Sequence, residues 1–170
     1  VIRESLLFPY LEGVNFVQSL WLQAGRVAPF GERLPISTEQ VLLKSTAEEP
    51  IKVEVEVRGA QVVKEDVLGQ LVVGIMVEEH LGAETEPLTE GWEGDRYVLI
   101  ENARNKRGLI WFALWKDAAS RDRFANAMQP ALEDLPELAE LARLEVAGWP
   151  ATELRVGSVD GVRATPRVAS

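Results

Sequence analysis

The chain has 170 residues, a formal charge of −9, 46% hydrophobic residues and 26% charged residues. That balance favours one folded domain, or one domain with a small appendage, with a core that does not depend on disulfides or metals. The acidic excess argues against nucleic-acid binding, which draws on clustered Lys and Arg, and the basic cluster Arg104, Lys106 and Arg107 falls in an expected hairpin turn. With no cysteine, a disulfide framework, a thiolate zinc site and a cysteine nucleophile are all excluded.

No stretch approaches the roughly 18 apolar residues of a membrane span. The chain begins at Val1 and shows no signal-peptide features, so processing of its start, or a fragment of a longer protein, is expected. A short apolar run leads to Pro9, well placed for a first helical turn. From there Tyr10, Leu11, Val14, Val17 and Trp21 recur at helical spacing, widened by Phe16, Leu20 and Leu22, and Gly25 supplies a stop. Residues 26–36, with Pro29, Gly31 and Pro35, read as a connector. Ser37 followed by Gln40 is a capping box for a short helix through about Leu43.

After a polar segment ending at Pro50, the run from Ile51 to Val57 alternates cleanly and predicts a strand with Ile51, Val53, Val55 and Val57 inward. Lys64 to Leu81 reads as a helix buried on most of its circumference, with Val67, Leu68, Leu71, Val72, Ile75 and Met76 on one side. Val73 and Val77 lie elsewhere, Gly69 and Gly74 read as points of close packing, and Gly82 is the stop. Residues 83–90 predict a helical turn interrupted by Pro87.

The stretch from Gly91 to Trp115 carries three of the five tryptophans and predicts two strands, about Arg96–Glu101 and Leu109–Trp115. The second is apolar on both faces and belongs in the middle of a core. Asp117 caps a helix with Phe124, Ala127, Met128 and Ala131 on one face. A second short helix is expected after Pro136, with Leu138 and Leu141 inward. Asp160-Gly161 between Val159 and Val162 is a two-residue hairpin signal, and Pro166 puts the last strand at an edge. The chain divides into a region 1–132 and a tail 133–170 that is expected to pack on the same sheet, and a soft boundary is expected within that tail at residues 143–149.

His80 is the single histidine, short of the two or more that catalytic zinc uses, and reads as a residue of a helix end. The pairs Glu48–Glu49 and Glu78–Glu79 diverge on a helix and read as solvated face rather than paired catalytic carboxylates. Trp21, Trp111 and Trp115 run in phase with apolar neighbours and are expected in the core, whereas Trp92 and Trp149 stand beside glycine in loops and are the better candidates for exposure. Trp92, Asp95 and Arg96 are the candidate ligand-binding residues, on a rim loop that would take a small anion or a peptide carboxylate through Arg96. The alternative is structural: Asp95 caps backbone N–H groups and Arg96 pairs with a nearby acid. Gly91-x-x-Gly94 precedes a strand and has no Lys, so it is no phosphate loop, and no catalytic residue is assigned.

Phe8-Pro9-Tyr10-x-Glu12-Gly13-x-x-Phe16-Val17, Ser37-Thr38-Glu39-Gln40-Val41-Leu42, Asp66-Val67-Leu68-Gly69 and Gly91-Trp92-x-Gly94-Asp95-Arg96-Tyr97 are followed by the Trp-rich strand and the Asp117 helix. In this order they resemble the C-terminal half of an uncharacterised family related to zincin-like metallopeptidases, over roughly residues 6–130. The resemblance implies a zinc site on a His-Glu-x-x-His helix upstream, and export or association with the cell envelope. This sequence has no His-Glu-x-x-His, so no metal ligand is carried over, Glu12 included, and zinc enters only if an upstream half exists. The implied partner is such an N-terminal metallopeptidase-like half.

The expected architecture is α+β: N-terminal helices and a buried central helix, with an antiparallel sheet built on the Trp-rich hairpin and covered by a helix. Two functions follow as expectations. One is a non-catalytic scaffold beside a zincin-like substrate cleft. The other is a stand-alone module that binds a ligand or protein through the Gly91–Arg96 loop.

Overall fold

The computed structural model describes residues 2–24, 31–45, 49–82, 86–133, 135 and 137–169. In chain order these form α1 (Ile2–Ala24), a single 3-10 turn at Gly31–Arg33, α2 (Thr38–Leu43), β1 (Val53–Arg58) and β2 (Gln61–Asp66). There follow α3 (Gly69–Leu81), α4 (Glu86–Thr89), β3 (Trp92–Glu101), β4 (Arg107–Trp115) and α5 (Ala118–Glu133). The chain closes with β5 (Ala139–Val146), β6 (Trp149–Gly157) and β7 (Arg163–Val168). The fold is α+β, with antiparallel pairing in both sheets.

A strand that is apolar at consecutive positions has no face to give to water and must lie between two layers. β4 is that strand: it is the middle of a five-stranded sheet of order β2-β3-β4-β6-β5. Trp111, Ala113 and Trp115 face one way and pack on α3 and α5 through Val73, Val77, Phe124 and Met128. Ile110 and Phe112 face the other way, with Val98 and Ile100 of β3, under a separate two-stranded ribbon of β1 and β7. The molecule is thus layered as helices, sheet and ribbon. Phe124 is the keystone of the helical layer, with its ring 4.7 Å from that of Trp115 and 5.9 Å from that of Trp111.

Local chemistry explains the turns. Asn102 Oδ1 accepts the N–H groups of Arg104 (2.9 Å) and Lys106 (3.1 Å), closing the β3–β4 connection in which the basic cluster lies. Ser37 Oγ accepts the Gln40 N–H at 3.1 Å, and Gln40 Oε1 reaches back to the Ile36 N–H at 2.8 Å, a capping box displaced by one residue. Asp117 Oδ1 accepts the Ser120 N–H at 2.7 Å and starts α5. Gly82, at φ 59°, ends α3 by donating to Glu78 O.

Several expectations are corrected. Residues 61–66 are strand, and the central helix begins only at Gly69. The segment after Pro136 is β5, a strand paired to β6 along its whole length. Pairing with β6 satisfies the backbone that a short helix would leave open at both ends; Leu138 is exposed, whereas Leu141 packs against the helix-side core as expected. The stretch 143–149 is no boundary: it is the β5–β6 hairpin, turning on Ala147 (φ 51°) and Gly148 (φ 88°). Two consecutive left-handed residues match the twist of the flanking strands. Asp160-Gly161 does make a turn, with the Val162 N–H donating to Val159 O at 3.1 Å. Its flanking strands belong to different sheets, however: β6 pairs with β4 and β5, β7 with β1. Pro166 lies in the two-stranded ribbon, on β7, an edge as expected.

The N-terminal helix forms, but its stripe is not a core face. Tyr10 is 75% exposed, Leu22 89% and Trp21 44%, while Phe16 is buried. Among the described residues α1 packs mainly on α2 and α3, too small a surface to cover so wide a stripe. The expected stop at Gly25, the connector through Pro29, Glu48, residues 83–85 and Pro136 lie outside the described residues.

Candidate functional site

At the open end of the sheet, β3 runs past its partner. β2 pairs with β3 only as far as Asp66↔Tyr97, so Trp92 to Arg96 have a strand on the β4 side alone. Chain from three directions comes near this bare edge. The Ile51 N–H donates to Glu93 O at 2.7 Å, α3 starts beside Asp95, and α2 closes the far side. Between them is a cleft of about 500 Å³. Ile36, Pro50, Ile51, Val53, Val67 and Trp92 give it apolar walls, and Glu49, Lys52, Glu54, Asp95 and Arg96 its charges. Gly94 is where the chain leading into β1 crosses β3, since a Cβ there would clash with Ile51 O.

The three expected binding residues do line this cleft, but from opposite faces of the sheet. A register shift between Trp92 and Gly94 inserts one residue into β3. The bulge turns both Trp92 and Asp95 toward the helices, where simple alternation would have separated them. Arg96 faces the other way and pairs with Glu65 on β2 at 3.2 Å. Trp92 is not a rim residue: it is 1% exposed and packs in the same cluster as Trp115 and Phe124. Trp92 to Arg96 are strand rather than loop, which is why Trp92 and Asp95 are taken up by the core. Trp149, the other candidate for exposure, is half-buried against the cluster of Val53, Leu114, Val146 and Ala151.

Asp95 has a structural assignment. Helix α3 opens on Leu68, which offers no side-chain cap. Asp95 supplies one from across the cleft, with Oδ1 accepting the N–H groups of Leu68 (3.1 Å) and Gly69 (3.4 Å). Its Oδ2 takes the Trp111 indole N–H at 3.0 Å. Burial pushes its carboxyl up to about 6, against these hydrogen bonds, which lower it, and with Asp66 adding to the rise. The structural alternative for Asp95 and Arg96, a cap and an ion pair, is therefore what the geometry contains.

Two donors are left without acceptors among the described residues: the buried Trp92 Nε1 and Arg96 Nε. Such groups are uncommon in folded proteins. Sequence reasoning named both residues but not the walls from α2 and β1, because the cleft is assembled from segments far apart in the chain. His80 lies exposed in the last turn of α3, outside the cleft, with Glu78 and Glu79 exposed beside it. Glu12 accepts from Asn15 Nδ2 at 3.4 Å, on the helix it sits in. Among the described residues no three His, Cys, Asp or Glu side chains group as a metal site, and no helix is long and apolar enough to cross a membrane.

Layer order, bulged central hairpin and edge cleft define an α+β domain with a candidate binding cleft. The chain belongs to the family described as Domain of unknown function (DUF8575), whose family model matches residues 55–163. That match runs from within β1 to the first residue of β7, so it takes in the whole five-stranded sheet and leaves out α1 and α2. No curated protein and no solved structure matches the chain.

Proposed function

We propose that this chain is a non-catalytic binding domain that takes a ligand or a segment of another protein in the cleft beside Trp92 to Arg96. The observation that carries the reading is the cleft's construction: apolar walls around a bare strand edge, with Arg96 partly exposed at its margin. Pockets of a few hundred cubic ångströms lined by apolar residues and few polar groups are the usual form of a binding site. Asp95 is committed to the cap of α3 and to Trp111, and Arg96 to an ion pair with Glu65, rather than to a nucleophile or general base in the manner of catalysis.

The test is a titration of N-acetyl-leucine N-methylamide into the isotope-labelled chain, read by chemical shift. Residues of the cleft, Val53, Val67 and Gly94, should move in the wild type. Val67→Trp, which fills the cleft, should abolish the response, and Arg96→Gln should weaken it. Equal shifts in all three proteins would sink the reading.

The zincin-like resemblance gives the same cleft a second setting. Its Gly91–Tyr97 motif runs along the cleft's β3 wall. In that setting the domain is the scaffold beside a substrate cleft, and the metal-bearing half is an N-terminal segment of the same protein. Reading the gene upstream of Val1 decides this: a domain's length without His-Glu-x-x-His removes the zincin-like version.

A further inference from the structure

Resting on the binding reading above, we infer that the cleft's occupant is an extended peptide with alternating basic and apolar residues, held by strand addition to the free edge of β1. The direction of the β1 backbone carries this. The Ala169 N–H donates to Lys52 O at 2.9 Å, which makes Lys52 and Ala169 a hydrogen-bonded pair of the ribbon. By alternation, Glu54, Glu56 and Arg58 are bonded to β7, while Val53, Val55 and Val57 turn their N–H and C=O groups the opposite way. Two independent facts agree with that parity. Pro166, which has no N–H, stands opposite Val55, where none is needed. The Ile51 N–H, in the same phase, points away from β7 and meets Glu93 O.

Beyond Ile51, no backbone group among the described residues meets the outward N–H and C=O groups of Val53, Val55 and Val57. The Val53 end of this edge lies in the wall of the cleft. A row of unpaired backbone groups opening on an apolar cleft is what an added strand recognises: main-chain bonds hold it, and alternate side chains enter the cleft.

The charges choose the strand. Glu54 and Glu56 stand along the solvent face of β1. Their ion pairs with Arg167 and Arg58 are exposed, and such pairs are worth little and exchange readily. Glu49 adds negative charge at the cleft wall. Basic residues are therefore favoured opposite Glu54 and Glu56 at the middle of β1, which Lys52 and Arg58 flank, and acidic ones are disfavoured there. A second copy of this chain in the symmetric register is a poor occupant. Antiparallel pairing about Val55 would set Glu54 against Glu56 and Lys52 against Arg58, like charge against like.

The experiment uses the full chain and three probes: acetyl-Lys-Val-Lys-Val-Lys-amide, the same peptide with alternate backbone nitrogens methylated, and its Glu-for-Lys counterpart. Amide hydrogen exchange is read residue by residue. In the free protein, Val53, Val55 and Val57 should exchange at least about tenfold faster than Glu54 and Glu56. The Lys peptide should slow them by a similar factor, and the other two probes should not. The double charge reversal Glu54→Lys with Glu56→Lys should transfer the preference to the Glu peptide. Slow exchange at Val53, Val55 and Val57 without peptide, or no protection by the Lys peptide, overturns the inference. Equal binding of the methylated peptide, still lost in Val67→Trp, removes strand addition but leaves the cleft standing. Protection by the Lys peptide that survives in Val67→Trp keeps the edge and removes the cleft.

Discussion

The Trp111 indole N–H donates to Asp95 Oδ2 across the β3–β4 hairpin at 3.0 Å, while the other oxygen of the same carboxylate holds the start of α3. One buried side chain thereby fixes the sheet to its covering helix at the edge of the cleft. Asp95→Ala leaves the Trp111 N–H and the first donors of α3 without acceptors. The expected loss is about 2–4 kcal/mol of unfolding free energy. Chemical denaturation followed by tryptophan fluorescence measures it, and a loss within error of zero would show that the carboxylate holds nothing.

The same residue sets a pH dependence. Its folded pKa of about 6 lies above the ordinary 3.8, because burial disfavours the charge. The folded state therefore holds a proton that the unfolded chain releases between those values. The resulting stabilisation is fully present below 3.8 and lost as pH rises through about 6. A shift of roughly two units is on the order of 3 kcal/mol. Other carboxylates titrate nearby, so the quantity to measure is the difference between wild type and Asp95→Asn from acid to neutral pH. Parallel curves for the two proteins would contradict the assignment.

Gly94→Ala should be as damaging as a core substitution. The new Cβ would clash with the backbone oxygen of Ile51, and backbone gives way less readily than a side-chain end. A loss of about 1–3 kcal/mol is expected, together with shifted resonances at Ile51 and Val53 from the displaced start of β1. Unchanged shifts there would mean β1 does not seat on β3.

Phe124→Ala removes the ring that lies against both Trp111 and Trp115. A fully buried aromatic truncated in this way costs about 3–5 kcal/mol. By contrast, Tyr10→Lys and Leu22→Lys, on the exposed face of α1, should stay within about 0.5 kcal/mol of wild type. Thermal unfolding of the three variants side by side checks both statements. Large losses at Tyr10 and Leu22 would place them in the core that their spacing in the sequence predicts.

That contrast marks what could be read from the chain. Periodicity says that a segment is amphipathic, not that a partner surface exists for it. Tyr10, Leu11 and Val14 repeat as faithfully as Phe124 and Met128, yet only the second set meets a sheet. The Asp95 alternatives were both legible as chemistry. Choosing between them required the start of α3, more than twenty residues earlier in the chain, to arrive at hydrogen-bond distance.

The sequence by itself determined the local features: the double-sided apolar strand at Leu109–Trp115, the caps at Ser37 and Asp117, the stop at Gly82 and the alternation of β1. Each depends on neighbouring residues, and backbone sterics and side-chain period decide it locally. Tertiary structure alone decided that β6 and β7 part after Asp160-Gly161, that β5 is strand, and that a bulge after Trp92 turns Trp92 and Asp95 to one face. Those outcomes depend on which distant segment satisfies a backbone or covers an apolar face. The cleft belongs wholly to this second kind. Its walls come from α2, β1, α3 and β3, and no single stretch of the chain contains it.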